Sequence, residues 1–467
     1  MNVQQLYTNC LSEAAYFISH NGEAAVIDPL RDIETYLKLA EEQGVKIKYI
    51  FETHFHADFV SGHLELSKAT GAPIVYGPQT EARFDFHKAT DGETFSIGGL
   101  RLEVLHTPGH TLESTCYLLY DENNKPYCVF TGDTLFVGDV GRPDLFSGNM
   151  SKEELAGMMY DSLQSKIKTL PDDVIVYPAH GPGSSCGKNL GKETFSTIGA
   201  QKAGNYALAD MTKEEFVKAV TEGLNTPPAY FPINARINKE GYEPMNDLFE
   251  QGLKSLSVTA FKQAVKDGAW ILDTRPAAVF TEAFVPESIN IGLDGRYAEW
   301  AGSLLPFTQP LVLVAEPGKE RESITRLARV GISKVQGYLE GGIEAWKAAG
   351  ETPDMIIDVE PDELAMDMPF DNRLEVIDVR KPGEFEAGHV KGATNLPLSD
   401  MTDVLNIAGI DTDHNLYVHC AGGYRSVIAC SLLKRQGFHN LRNVLGGWAK
   451  MKELQNLPIV EGVKAKA

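Results

Sequence analysis

Four apolar runs in the first half of this chain each end in a residue able to bind a metal, and that repeated grammar dictates a sheet-based fold with one polar rim. Ile47 to Phe51 leads into His54, His56 and Asp58; Leu100 to Leu105 leads into Thr107-Pro-Gly-His110. Val129 to Thr131 leads into Gly132-Asp133, and Val174 to Tyr177 into Pro178-Ala-His180-Gly181. Strand ends bordered by Gly and Pro let short polar side chains converge while the strands behind them stay buried. Taken singly, each histidine suits a hydrogen-bond network at a sheet edge; taken jointly, the four segments point to a metal.

These residues resemble the metallo-β-lactamase superfamily, whose hallmark is His-x-His-x-Asp-His followed by single His, Asp and His ligands. The spacing agrees over about half the chain, with one departure: Phe59 stands where the last histidine of the first motif belongs. Phenylalanine has no lone pair, so a second metal would lose its imidazole and the resemblance implies a mononuclear centre. His54, His110 and Asp133 then form a two-histidine, one-carboxylate face suited to Fe(II) and oxygen activation, one iron per domain, with zinc as the alternative. His56, Asp58 and His180 are expected beside it, orienting the ligands or holding a metal themselves. His63 reads as an ordinary helix-start residue.

The run TGDTLFVGDVGRPDL around Asp133 is similar to the persulfide dioxygenase branch of that superfamily. Arg142 matches the branch's substrate-binding arginine, whose planar guanidinium suits a carboxylate of the thiol carrier; the plainer reading is a surface ion pair with Asp144 or Asp139. Glutathione-specific members carry a tyrosine shortly after the last histidine, whereas this chain reads Gly181-Pro-Gly-Ser-Ser-Cys186, which opens coenzyme A as a carrier. Cys186 is a candidate to carry a persulfide, or a loop cysteine without a role.

The second half contains a duplication. Ile271-Leu-Asp-Thr-Arg275 answers Ile377-Asp-Val-Arg380, and Leu339-Glu-Gly-Gly342 with Trp346 answers Leu445-Gly-Gly447 with Trp448. Each copy alternates short apolar strands with helical segments such as Glu322 to Val330 and Ser426 to Gln436, the pattern of a parallel α/β unit. The later copy, IDVRKPGEFEAGHVKGATNLPL followed by YVHCAGGYRS, resembles the rhodanese sulfurtransferase family. Cys420 ends a strand before a glycine loop and a helix, so backbone N–H groups, the helix N-terminus and Arg425 surround a sulfur anion. Cysteine-dependent phosphatases set their cysteine and arginine one residue further apart. Cys430 reads as buried and inert. The earlier copy places Glu316 at the Cys420 position, with Glu320 nearby, and so reads as catalytically silent, serving spacing, docking or dimer contact.

A chain of 467 residues exceeds one core. The expected organisation is multidomain α/β: an αββα metallo-β-lactamase sandwich over 1–250, a rhodanese-like α/β domain lacking the cysteine over 251–352, and an active one over 353–467. Ser151 with Glu154 and Thr212 with Glu215 have capping-box spacing and predict helix starts; the Pro-rich stretch Thr226 to Pro232 leads toward the duplication, Pro353 marks the next junction, and Lys464 to Lys466 form a basic tail. A formal charge of −21, from 43 basic and 64 acidic residues, excludes nucleic acid as a natural partner. No apolar stretch spans a bilayer, the start is unlike a secretory signal, and the scattered cysteines do not form a disulfide framework, so a cytoplasmic protein is expected; a homo-oligomer is expected as its assembly. The resemblances together imply oxidation of a small-thiol persulfide (glutathione, coenzyme A or similar) by O2 to sulfite, with thiosulfate from the rhodanese domain. The competing readings are a zinc-dependent thioester hydrolase of the glyoxalase II kind and a non-enzymatic sulfur carrier.

Overall fold

The computed structural model describes residues 1–145 and 150–462, so the basic tail Lys464 to Lys466 lies outside it. The chain divides into two compact units. One comprises Met1–Asp247 with Thr325–Ile332; the other comprises Leu248–Ile324 and the described residues from Ser333.

In the first unit, strand Glu13–His20 is buried on both faces, and that burial makes the layers. Ala14, Tyr16 and Ile18 point to one side, where they meet Leu102, Val104, Tyr117 and Phe130 of a second sheet. Ala15 and Phe17 point to the other, against Tyr36 and Leu66 of flanking helices. Side chains two apart share a face of a strand, so one run of small and aromatic residues serves two cores. Fully burying the larger of these side chains, such as Phe17 and Ile18, stabilises the fold by about 1.5–3 kcal/mol each.

The two six-stranded sheets follow this logic. The first runs Asn2–Thr8, Glu13–His20, Glu23–Ile27, Lys46–Phe51, Ile74–Tyr76 and His87–Lys88. The second runs Ser196–Thr197, Ile175–Pro178, Pro126–Gly132, Thr115–Tyr120, Leu100–His106 and Thr94–Ile97. Val129 and Leu118 leave the second sheet's outer face to meet Met159, Leu163 and Phe216 of helices, completing an αββα sandwich. Helices Lys152–Ser162 and Lys213–Thr221 begin at the two expected capping boxes, on Ser151 with Glu154 and Thr212 with Glu215.

The second unit holds two five-stranded parallel sheets with the same strand order. The earlier runs Ser255–Leu256, Val335–Leu339, Leu311–Val314, Trp270–Asp273, Ile289–Asn290; the later runs Ile357–Val359, Leu441–Val444, Asn415–His419, Leu374–Asp378, Thr394–Asn395. The duplication extends to hydrogen bonds. Asp273 clamps Arg275 as Asp378 clamps Arg380, with Nε to Oδ1 at 2.9 Å in both. Asn290 and Asn395 each donate their amide to the two carbonyls of the corresponding Asp and Arg.

Register corrects two sequence correspondences. Asp273 pairs with Val314 and Asp378 with His419, so Ala315, not Glu316, occupies the position of Cys420. The absence of a thiol there stands. The capping glycines Gly341 and Gly446 match, which sets Ile343 rather than Trp346 opposite Trp448. Among the described residues no helix is long and apolar enough to cross a membrane.

Candidate active sites

The rim of the sandwich gathers the expected side chains. His54 and His110 aim Nε2 at Asp133 Oδ2, at 3.8 and 3.4 Å, and their rings stand at 89° to one another. His180 Nε2 lies 3.4 Å from the other Asp133 oxygen and 3.5 Å from Asp58 Oδ2. These spacings suit donors grouped about a cation, whose bonds to nitrogen and oxygen are about 2.0–2.2 Å.

Hydrogen bonds on the far side of each ring set which nitrogen faces inward. His110 donates Nδ1–H to the Arg142 carbonyl at 2.8 Å, and His180 donates to the Ser12 carbonyl at 3.1 Å. His54 Nδ1 meets Thr53 Oγ1 at 2.9 Å, and that hydroxyl donates to Asp28 Oδ2 at 2.9 Å. All three rings therefore present a bare Nε2. Burial first, then the neighbouring imidazoles, holds the His54 pKa well below its ordinary value, so the ring stays neutral.

His56 borders this group, offering a ring nitrogen within 4.8 Å of donor atoms of Asp58 and His180, and is also held from behind. Its Nε2 lies 3.1 Å from Asp28 Oδ1 and 3.4 Å from Glu52 Oε2. Burial pulls its pKa down, but the two carboxylates outweigh that and raise it well above the ordinary value. Phe59 stacks on the His56 ring at 4.3 Å between centroids and is fully buried. His63 opens helix His63–Thr70, as expected, but it is fully buried with Nδ1 3.3 Å from Glu52 Oε1 and so is not an ordinary helix-start residue.

Arg142 is buried, and its guanidinium grips Asp144 through Nε to Oδ1 at 2.7 Å and Nη2 to Oδ2 at 2.8 Å. An ion pair with Asp144 is thus present, but on a buried arginine rather than as the surface pair of the plainer alternative. Cys186 is buried, and its sulfur clusters with donor atoms of Asp133 and His180 within 4.8 Å. Burial, then Asp58 and Asp133, pushes its thiol pKa well up, so it is a thiol rather than a thiolate here.

In the second unit, Cys420 follows strand Asn415–His419 and is buried. Gly423, at φ 112°, turns its N–H onto the Cys420 sulfur at 3.1 Å, and helix Tyr424–Arg435 starts from it. An L side chain is strained at that φ, so the loop needs glycine there. Arg425 is held by Glu384 through two bonds, 2.7 and 2.8 Å, rather than resting on the sulfur. That guanidinium pulls the Glu384 carboxyl pKa down to about 2.

Residues 8–180 match the Metallo-beta-lactamase superfamily, and residues 257–349 and 360–454 each match the Rhodanese-like domain. A metallo-beta-lactamase from Staphylococcus aureus subsp. aureus COL, solved as a crystal structure, is 31% identical; the match covers 73% of this chain and 98% of that one, with a TM-score of 0.64. The chain belongs to the metallo-beta-lactamase superfamily. ETHE1 from Myxococcus xanthus is also 31% identical, over 51% of this chain and 100% of that one, with a TM-score of 0.43. The protein is thus a metallo-beta-lactamase domain followed by rhodanese-like domains.

Members of the metallo-beta-lactamase superfamily bind metal ions, and this one has the donors for it. Both oxygens of Asp133, both of Asp58 and Nε2 of His180 are buried without a hydrogen-bond partner among the described residues. Such groups are costly to bury bare, and a cation among them removes the cost. Sequence reasoning missed Asp28, Glu52 and Glu13. Asp28 ends the buried strand Glu23–Ile27 as Asp133 ends its own, so the same strand-end signal marked it. Glu13 is fully buried, its carboxyl pKa raised by burial first, and its backbone bridges His180. Nothing in its sequence context announces that.

Proposed function

We propose that this metallo-beta-lactamase superfamily protein oxidises the outer sulfur of a low-molecular-weight thiol persulfide with dioxygen, and that its second rhodanese-like domain turns the product into thiosulfate. The observation that carries this reading is the pairing, in one chain, of a His54–His110–Asp133 face, beside which Phe59 replaces an imidazole, with a cysteine loop built for a sulfur anion. Fe(II), one per metallo-beta-lactamase domain, supplies dioxygen activation when bound. His54, His110 and Asp133 would hold it; Thr53 and the Arg142 carbonyl keep the histidine tautomers, and Asp28 with Glu52 fixes His56.

The first reaction balances as RSS⁻ + O2 + H2O → RSH + SO3²⁻ + H⁺, the outer sulfur giving four electrons to dioxygen. In the second, sulfite takes the sulfane sulfur from Cys420, CysSS⁻ + SO3²⁻ → CysS⁻ + S2O3²⁻, by the attack logic of thiol–disulfide exchange. Gly423 and the start of helix Tyr424–Arg435 stabilise the departing thiolate. Arg142 receives a carboxylate or phosphate of the carrier, glutathione or coenzyme A, which exchanges with Asp144. Cys186 next to Asp133 and His180 is the second sulfur-handling position. The reading assigns residues 1–250, 251–352 and 353–467 to the three domains, a homo-oligomeric state, a reducing cytoplasm for the unpaired cysteines, and a role in sulfide detoxification.

A second reading has its own observation. His56 with Asp58 and His180, and Asp133 with His180 and Cys186, are two further groups of donors for another metal, which suits a zinc thioester hydrolase of the glyoxalase II kind. Metal content, oxygen uptake and product analysis with glutathione and coenzyme A persulfides, set against hydrolysis of a glutathione thioester, separate the two. Stoichiometric iron with oxygen-dependent sulfite supports the dioxygenase; paired zinc with thioester cleavage and no oxygen uptake overturns it.

A further inference from the structure

The copy without a cysteine meets the thiolate loop of the other copy in two places. The first is Tyr424, which separates Gly423, the donor to sulfur, from Arg425. Its hydroxyl donates to the Gly292 carbonyl at 2.8 Å. Its ring lies so close over Gly295 that a Cβ there would sit 2.3 to 2.7 Å from three ring carbons. Real contacts do not come that near, and Gly295 does not have the left-handed φ that by itself calls for glycine. The ring is the reason for the glycine.

The second place is a line of hydrogen bonds that ends at the sulfur. Thr281, on helix Ala277–Glu282 of the silent copy, donates to Asp358 Oδ2 at 2.7 Å. Asn443 donates to the other Asp358 oxygen at 2.7 Å, and Ser426 donates to Asn443 Oδ1 at 2.7 Å. The Cys420 thiol in turn points at Ser426 Oγ, 3.7 Å away. Thr281, Ser426 and Asn443 are buried, while Asp358, which joins Thr281 to Asn443, is exposed.

We propose that the silent copy is a positioning element for Cys420: Gly292 and Gly295 seat Tyr424, and Thr281 anchors the Asp358–Asn443–Ser426 line, so the loop is shaped before sulfur arrives. This extends the reading of Cys420 as the sulfur-carrying nucleophile and rests on it. Gly295, Gly292 and Thr281 touch no reacting atom; they act through Tyr424 and Ser426. Loop residues held from outside lose less freedom when a ligand binds and keep their N–H groups aimed at the anion. The earlier copy, which has no cysteine at that position, then has a task at its neighbour's loop.

The test uses the full chain and two readouts. One is the pH dependence of Cys420 alkylation by iodoacetamide, followed on the Cys420 peptide by mass spectrometry; the other is steady-state sulfur transfer from thiosulfate to cyanide. Gly295→Val is expected to raise the alkylation midpoint and lower kcat/KM for thiosulfate at least tenfold. Tyr424→Ala gives a comparable loss, and adding Gly295→Val to it changes little further, because no ring remains to displace. Multiplying losses in the double variant, or an unmoved alkylation midpoint in Gly295→Val, overturn the proposal. If Gly295→Val does not fold, Gly295→Ala, Tyr424→Phe and Thr281→Val each decide it by whether the midpoint moves. Wild-type protein that alkylates normally yet takes no sulfur from thiosulfate defeats the reaction assigned to Cys420, whereas the alkylation series still judges the positioning.

Discussion

His110 hands its Nδ1 proton to the backbone carbonyl of Arg142, 2.8 Å away, while the guanidinium of that arginine is turned to Asp144. One residue thus serves the metal face with its main chain and keeps its side chain for another partner. The two roles come apart on mutation.

Arg142→Ala leaves the carbonyl in place. Iron content should stay near wild type while KM for the persulfide rises about ten- to a hundredfold, the worth of a hydrogen bond to a charged group. Metal analysis and oxygen uptake check both halves; loss of iron would show that the Asp144 clamp also sets the carbonyl.

Cys420→Ser should keep oxygen uptake and sulfite release and abolish thiosulfate formation. Oxygen electrode traces with ion chromatography of the products decide it. Thiosulfate formed at the wild-type rate would remove Cys420 from the reaction.

Phe59→His restores the imidazole that the second position lacks, next to Asp58, Asp133 and His180. The variant should bind two metal ions per chain where the wild type binds one, read by elemental analysis. A ratio of one in both would mean that the buried ring beside His56 is not what limits the site.

Glu384 titrates near 2 because Arg425 holds it, below its ordinary 4.5. A carboxyl whose folded value is depressed favours the folded state when ionised. Its contribution is whole above about pH 4.5 and is lost as pH falls toward 2. Glu384 is 36% exposed, so solvent screening limits the effect to at most about 1 kcal/mol. Urea unfolding of wild type and Glu384→Gln should differ at pH 7, and the difference should shrink below about pH 4.5 and vanish only once the pH has fallen through about 2.

Much of the sandwich was readable because the strands end where their chemistry begins. The run from Ile47 to Phe51 became strand Lys46–Phe51, and Leu100 to Leu105 became Leu100–His106. The supporting carboxylates were harder. Asp28 carries the same strand-end signal as Asp133, but its role runs through the Thr53 hydroxyl, 25 residues away. Glu52 is adjacent to the motif but matters only once His56 turns toward it. The confusion of Glu316 with Ala315 has a physical source too: the pairing of Val314 with Asp273 sets the register, and that partner lies far along the chain.

The matching clamps, Asp273 on Arg275 and Asp378 on Arg380, lie at and just past strand ends, are backed by the Ala283 and Gly388 carbonyls, and use no atom of the loops at 315–319 and 420–423. Each copy therefore owns a frame whose integrity does not depend on what its loop does. A gene that doubles such a frame is free to let one loop drift, and the drifted surface remains presented at a fixed place for whatever its twin requires.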